Sequence, residues 1–374
     1  MPMRSKFLLF CVTVLYLFPN SSFAQSDSAT GFTYSGYIDA YYAYYTDSVG
    51  TGNYQKFPSI SPRSNQFGLN TAQLTFQYDG TKFRGLATLH YGDIARSSWP
   101  SNFNNIMEAH VGIKICKKLW LDAGFFRTHV GTEGLLPKEN FTSSVSINTW
   151  HEPYIESGIR LNYLATEKLT INLYLLNGYN LFEDNNEKKS FGALITYALG
   201  DKGNIGYSNY TGDDTPIQDD SVETLSHLRI HNCLFFNYQY RKLKIQVGGD
   251  YCMQENSAVD DNTGVSNTGS ASMSSGVLAL KLQASKVFAA YIRGEFFNDP
   301  DGIMSGIILD KQNKFTGYNL TGATLGAEYK PTENSYLRLE ARQLQMDNNQ
   351  EIFITNGDPS SSRLEVLFNI GISF

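Results

Sequence analysis

The amino-acid sequence predicts an all-β fold, a closed antiparallel transmembrane β-barrel of about 16 strands with short periplasmic turns and long extracellular loops. Three observations carry the prediction. Apolar and polar residues alternate in segment after segment, the pattern of strands with one greasy face and one wet face. The connections between these segments alternate short and long without exception. The last segment, SRLEVLFNIGISF, keeps its alternation to the final residue, with Leu364, Val366, Phe368, Ile370, Ile372 and Phe374 on one face.

The first residues stand apart from the fold. MPMRSKFLLFCVTVLYLFPNSSFAQS carries Arg4 and Lys6, then an apolar run from Phe7 to Phe18, then small residues at Ser22 and Ala24. It reads as a secretory signal peptide, 1–24, which leaves 25–374 as the barrel. The apolar run is shorter than the roughly 20 residues a spanning helix needs. Cys11 has no small residues just before it, which argues against a lipid-anchoring cysteine.

The strands follow in order. The first spans 32–46. Hairpins follow at 63–79 with 82–94, around Asp79-Gly80, a good tight-turn pair, and at 106–115 with 118–130. Next come 153–164 with 168–180, 189–199 with 204–212, 226–240 with 242–254, and 274–285 with 287–298. The segments 317–330, 335–346 and 362–374 close the series. Nearly all reach the 9–11 or so residues that a tilted spanning strand needs. Short connections fall at Asp79, Lys117, Ala165, Gly200, Arg241, Lys286 and Pro331. Long polar ones fall around Gly50, Trp99, Lys138, Asp184, Asp219, Asn262, Asp310 and Asn349. A water-soluble sandwich has no reason to sort its loops in this way. An even strand count places both termini in the periplasm. Every backbone amide must be paired in lipid, so the last strand must pair with the first.

Composition agrees. A mean hydropathy of -0.29 would suit a water-soluble chain. Yet 24 Tyr and 24 Phe accompany only 18% charged residues, and helical periodicity is almost absent. The formal net charge is -6, or -8 once Arg4 and Lys6 leave with the signal peptide. Without basic clusters, an acidic chain is unsuited to nucleic acid. Cys116, Cys233 and Cys252 remain after cleavage, an odd number and too few for a disulfide framework. Around the turn at Arg241, Cys233 is expected opposite Gly249 and Cys252 opposite Ile230, about 10 Å out of step and beyond disulfide reach.

Several segments carry a family resemblance. They are AQLTFQYDGTKFRGLATLHYGD, EAHVGIKI with LDAGFFRTHVGTE, ESGIRLNYLATEKLTINLYLLNGYN, GAEYKPTENSYLRLEARQL, and the terminal strand. Together they resemble the OmpL-like β-barrel porin family of Bacteroidota. Where family members commonly carry Pro-Ile-Gly, this chain has His129-Val130-Gly131. The resemblance implies an outer-membrane porin, a passive diffusion channel for small hydrophilic solutes or ions. A C-terminal strand ending in Phe374 also resembles the signal by which outer-membrane barrels are recognised by the barrel-assembly machinery. Outer-membrane lipids are the other expected partner, and both a monomer and a homo-oligomer stay open. The alternative reading is a surface receptor or adhesin on the same scaffold, with a barrel enzyme third.

Within each strand the apolar parity should face lipid and the other parity the lumen. That places Asp39, Arg84, His90, Glu108, His110, Lys114, Asp122, Glu156 and Arg160 inside. It adds Arg229, Lys281, Arg293, Glu295, Glu328, Arg338, Glu340, Arg342, Arg363 and Glu365. Charges of both signs on one wet surface suit a water-filled pore whose transverse field orients polar solutes. The competing reading, salt bridges filling a closed barrel, suits about eight strands better than about 16.

Metal and enzyme motifs fail. On a strand His227 and His231 share a face but lie roughly 13 Å apart, too far for one ion. His90 and His110 could lie opposite each other with Glu108 nearby, but neither the ligand count nor the register of a zinc site is established. His151-Glu152 opens like a zincin motif, yet Pro153 follows and no second His arrives. No G-x-S-x-G or P-loop is present, so no catalytic residue, metal or cofactor is assigned. The acidic loops (Asp213, Asp214, Asp219, Asp220 and Glu223; Glu255, Asp260 and Asp261) read as a solvated outer face.

The longest connection, 131–152, is unlike its neighbours. Leu135, Leu136, Phe141, Val145, Ile147 and Trp150 are too many apolar residues for a loop that only meets water. They imply packing against a partner protein or the barrel interior, and by analogy with porins the segment is expected to fold inward as a constriction loop. Glu133, Lys138 and Glu139 would then face basic wall residues such as Arg338 and Arg342.

Overall fold

The computed structural model describes residues 31–374 except 48, 51, 56–58, 217–224 and 348. The leader assigned to 1–24, and Asp219, Asp220 and Glu223, lie outside the described residues. Sixteen strands pair in chain order, each antiparallel to the next, and the sixteenth closes on the first. They are β1 (Gly31–Tyr45), β2 (Gln66–Asp79), β3 (Phe83–Tyr91), β4 (Ile106–Cys116), β5 (Leu119–Arg127), β6 (Ile155–Leu164), β7 (Leu169–Leu176) and β8 (Ser190–Ala198). The second half comprises β9 (Gly203–Asp213), β10 (Leu228–Tyr240), β11 (Leu243–Gln254), β12 (Ala271–Gln283), β13 (Phe288–Asn298), β14 (Asn319–Tyr329), β15 (Ser335–Met346) and β16 (Ser362–Ser373).

Connections at one end span two to five residues, and at the other 13 to 27. The last three long loops carry small hairpins of their own, Ala258–Val259 with Ser266–Asn267, Ile308–Leu309 with Phe315–Thr316, and Phe353–Thr355 with Asp358–Ser360. Closure runs from Tyr37 opposite Ser373 to Tyr45 opposite Glu365. No edge is left for lipid to meet, which removes a penalty of several kcal/mol for each unpaired backbone group.

Several strands end sooner than alternation suggests. β3 stops at Tyr91 rather than 94, because Gly92 (φ 144°) turns the chain out of the ladder into a short helix, α1 (Asp93–Ser98). β2 begins at Gln66, β5 ends at Arg127 and β7 at Leu176, each giving its predicted last turn to a long loop. The β10–β11 register also differs by one residue from the expectation. Cys233 faces Asp250 and His231 faces Cys252, because the turn is centred between Arg241 and Lys242. Both thiols are buried and free.

The two faces of the wall differ as a membrane requires. Val111, Ile113, Leu173, Ile195, Leu278, Ile292, Leu325, Leu339 and Ile370 form an exposed apolar band. Exposed aromatics flank it. Tyr34, Tyr78, Phe83, Tyr163, Tyr197, Tyr240, Phe288 and Tyr329 lie by the short turns, and Tyr44, Phe67, Tyr91, Phe191, Tyr251 and Phe296 by the long loops. Such belts sit at the headgroup level on either side of a bilayer.

Phe374 belongs to the lower belt. Its amide donates to the Gly36 carbonyl at 3.0 Å, and its carbonyl accepts from the Gly36 amide at 2.7 Å. Its ring lies over Gly36 so closely that a Cβ there would stand 2.4 Å from the ring. A glycine in β1 thus gives the terminal aromatic a seat, and the ring covers the exposed backbone.

Candidate functional site

The lumen collects charge because one parity of every strand points into it. Asp39 accepts from Asn70 (2.6 Å), Asn369 (3.1 Å) and Tyr336 (2.5 Å). Arg84 and Arg160 converge on Asp122, at 2.6 and 3.0 Å. Arg342 bonds Glu295 at 2.7 Å and reaches Glu365 at 3.5 Å, and Arg363 also pairs with Glu365. Lys281 and Arg338 share Glu328, each at 2.7 Å. Glu156 takes the His129 Nδ1 at 2.6 Å, and Arg229 donates to Gln254 at 2.8 Å. Glu108 lies 3.5 Å from the Thr88 hydroxyl, and Lys114 stands 5.3 Å from the Trp120 ring centre.

The segment between β5 and β6 crosses this lumen. It leaves the ring at β5, and in a ring of sixteen β13 is diametrically opposite. Yet its residues bond β13 and β15. The Ser143 amide donates to Glu340 at 2.6 Å and the Ser144 amide at 3.0 Å. The Ile147 amide donates to Glu295 at 2.8 Å. Arg293 grips Glu133 (3.1 Å), the Thr142 hydroxyl (3.0 Å) and the Ser144 carbonyl (2.7 Å). Arg338 donates to the carbonyls of Pro137 (2.7 Å), Thr142 (2.8 Å) and Asn140 (3.1 Å).

Apolar residues hold the segment as well. Leu135, Leu136 and Val145 are buried with Tyr37, Ile60, Ile94, Trp99, Met107, Ile155, Phe182 and Tyr336, and Trp150 packs against this cluster. Ile147 joins a second cluster with Met273, Phe297, Leu320, Leu344, Met346 and Phe353. A 3₁₀ turn (Pro137–Glu139) and a short helix, α2 (Ile147–His151), shape the segment. The Ser146 side chain caps α2 by accepting from the Thr149 amide at 3.3 Å.

The charge partners differ from those the sequence suggested. Glu133 meets Arg293, not Arg338 or Arg342. Glu139 forms a two-pronged bond with Arg127 on its own side of the barrel, both contacts at 2.5 Å. Though burial opposes it, Arg127 holds the Glu139 carboxyl below the usual carboxylate range. Lys138 meets no carboxylate within ion-pair distance among the described residues, and its ammonium lies 4.4 Å from the Tyr37 ring centre. Burial first, then Arg127, pushes its pKa below that of an ordinary lysine. Arg338 binds the segment through backbone carbonyls, which no side-chain pattern announces.

His90 and His110 do not face each other. His110 stands opposite Leu86, and the His90 amide bonds the Asn105 carbonyl at 3.0 Å. A bulge after Thr88 shifts the register, and the His90 ring packs edge-on against Trp99 at 4.7 Å. Among the described residues no group of three or more His, Cys, Asp or Glu is placed to hold a metal ion.

Arg127 and Lys244 are lumenal cations beyond those the sequence pattern placed there. Arg127 lies beyond Gly124 and Gly158, which face each other at φ 135° and 154° and interrupt simple alternation. Lys244 has plain lumenal parity with Gln246 and Asp250, so the signal was available. On the turn side of the crossing the wall is polar and partly open to solvent. Thr75, Gln77, Arg84, Lys114, Asn162, Thr196, Asn237 and Lys244 are all half-buried. Phe141 and Lys138 line a cleft of about 90 Å³ there.

Residues 31–374 match the model of a family described as putative beta-barrel porin-2, OmpL-like. No curated protein matches the chain significantly. Solved structures match in fold. The outer-membrane channel DcaP of Acinetobacter baumannii superposes with a TM-score of 0.59 at 11% identity, covering 94% of this chain and 99% of that one. The anion-selective porin from Comamonas acidovorans gives 0.58 at 11%, covering 92% and 99%. OmpT of Vibrio cholerae gives 0.57 at 10%, covering 93% and 99%.

Proposed function

Because the chain belongs to the OmpL-like β-barrel porin family, and is on that ground an outer-membrane porin channel, we propose that it passes small hydrophilic solutes passively, with 131–152 as the constriction. The observation that carries this reading is the crossing itself, from β5 to Glu295, Arg293 and Glu340 on the far wall. A sixteen-strand ring would otherwise enclose a wide aqueous channel. A segment fixed across it at mid-height sets the largest solute that passes.

The lumenal charges then act as a field and not as catalytic groups. Arg84, Arg160 and Lys281 line the wall with Asp122 and Glu328 as their counter-ions, and Lys244 stands among them without one among the described residues. Opposed charges across a narrow gap orient dipolar solutes and slow apolar ones. The role is that of a conduit and not an enzyme. Outer-membrane lipids solvate the exposed apolar band, and the assembly machinery reads the strand that ends in Phe374.

Purified protein in planar bilayers tests the reading. Discrete unitary currents, together with swelling of loaded liposomes in small sugars but not in long oligosaccharides, are expected. A heat-modifiable, correctly folded barrel that passes neither ions nor sugars would contradict it and favour the receptor alternative.

A further inference from the structure

Resting on the porin reading, we propose that the turn-side vestibule beneath the crossing segment is a binding site for small oxyanions, solutes that carry a carboxylate or a phosphate. The cleft there is lined by five cationic side chains, Lys138, Lys244, Lys281, Lys330 and Arg338. Only two carboxylates share the lining, and one of them, Glu328, is already held by both Lys281 and Arg338.

The arrangement leaves charge uncompensated. Lys281 and Arg338 share Glu328, so neither has a carboxylate to itself. Lys138 and Lys244 have no carboxylate within ion-pair distance among the described residues. Lys138 is fixed instead over the Tyr37 ring, which orients its ammonium without cancelling its charge. Neighbouring polar groups from Asn140, Asn334 and Ser373 complete the lining. The whole chain is acidic, so this basic pocket is a local inversion of its charge. Unpaired, partly desolvated cations around a small cleft attract an anion far more strongly than solvated surface lysines do.

The site deepens the pore reading by giving it a direction. Acidic Asp260 and Asp261 stand at the loop end, and the cationic pocket lies at the turn end. Anions that pass the constriction meet a well just before the periplasm.

Two measurements test this on the full-length barrel. In bilayers under a KCl gradient, the wild type should prefer chloride to potassium. Inorganic phosphate or succinate added on the turn side should reduce chloride current more than the same anion on the loop side. The double variant Lys138→Glu/Lys244→Glu should reverse the sign of the reversal potential and abolish the block. Preference for potassium in the wild type, or an unchanged reversal potential in the variant, overturns the proposal. Titration calorimetry of phosphate and of succinate on detergent-solubilised protein reads the site without any transport. Binding weakened about tenfold or more in the variant supports the site, and no binding by wild type overturns it. Binding without conductance would sink the porin reading and leave the site standing. Phosphate and succinate titrated separately show which oxyanion the cleft prefers.

Discussion

Glu340 carries more of the crossing than any other wall carboxylate. It is buried, and it accepts the Ser143 and Ser144 amides, the Ser144 hydroxyl and, at 3.0 Å, the Tyr291 hydroxyl. A carboxylate buried without donors would be costly, so the loop and the charge hold each other in place. Glu340→Gln keeps the shape but removes the charge and turns one acceptor into a donor facing N–H groups. The expected loss is about 2 kcal/mol, read as a lower unfolding midpoint together with noisier unitary current. Quiet channels with an unchanged midpoint would show that Glu340 does not hold the segment. At the other end of the barrel, Phe374 and Gly36 form a pair that a double-mutant cycle can separate from any role in assembly. Gly36→Ala should cost about 0.5–1 kcal/mol with Phe374 present, because its Cβ displaces the exposed ring. In a Phe374→Ala background it should cost almost nothing. Equal costs in both backgrounds would mean that the ring does not sit where Gly36 admits it.

At the scale of elements, the strands were legible and their partners within the lumen were not. Alternation needs only a period of two, and enough of each strand keeps it, despite the interruption at Gly124 and Gly158, for all sixteen to be placed from the sequence. Register needs the turn, and the observed pairing differs from the expected one by one residue at Arg241–Lys242 and is displaced by the bulge after Thr88. The apolar content of 131–152 marked a segment that packs against something, because Leu135, Leu136 and Ile147 have no use in water. Its bonds to the wall run largely through the amides of Ser143, Ser144 and Ile147 and the carbonyls of Pro137, Asn140 and Thr142. Backbone groups are the same in every residue, so their partners leave no trace in composition. The β10–β11 hairpin gives a direct check on register. Cys233 and Cys252 are offset by two residues along the strands, about 7 Å, which exceeds the separation a disulfide spans. Both should be alkylated after denaturation without reductant, in mass spectrometry of intact protein. A Cys233–Cys252 bridge would contradict the pairing of Cys233 with Asp250.

At the scale of the whole molecule, one architecture answers two solvents. The outer face offers lipid an apolar band between aromatic belts, and closure of β16 on β1 leaves no unpaired edge. The inner face gathers arginines and carboxylates that bind one another and the crossing segment, so the lumen is divided and not simply hollow. Its loop side is packed with side chains such as Trp99, Leu136 and Phe182, while its turn side stays polar and partly solvated. On the proposed reading, the division makes the segment 131–152 the element that decides what passes. The most direct test is the unitary conductance of the wild type against a variant lacking residues 135–147, both shown to be folded by heat-modifiable migration. Discrete wild-type currents and a several-fold larger conductance in the deletion are expected, with a larger sugar admitted in liposome swelling. Equal conductance and equal size exclusion in the two proteins would contradict a constricting role, because the segment would then lie outside the path of the solute.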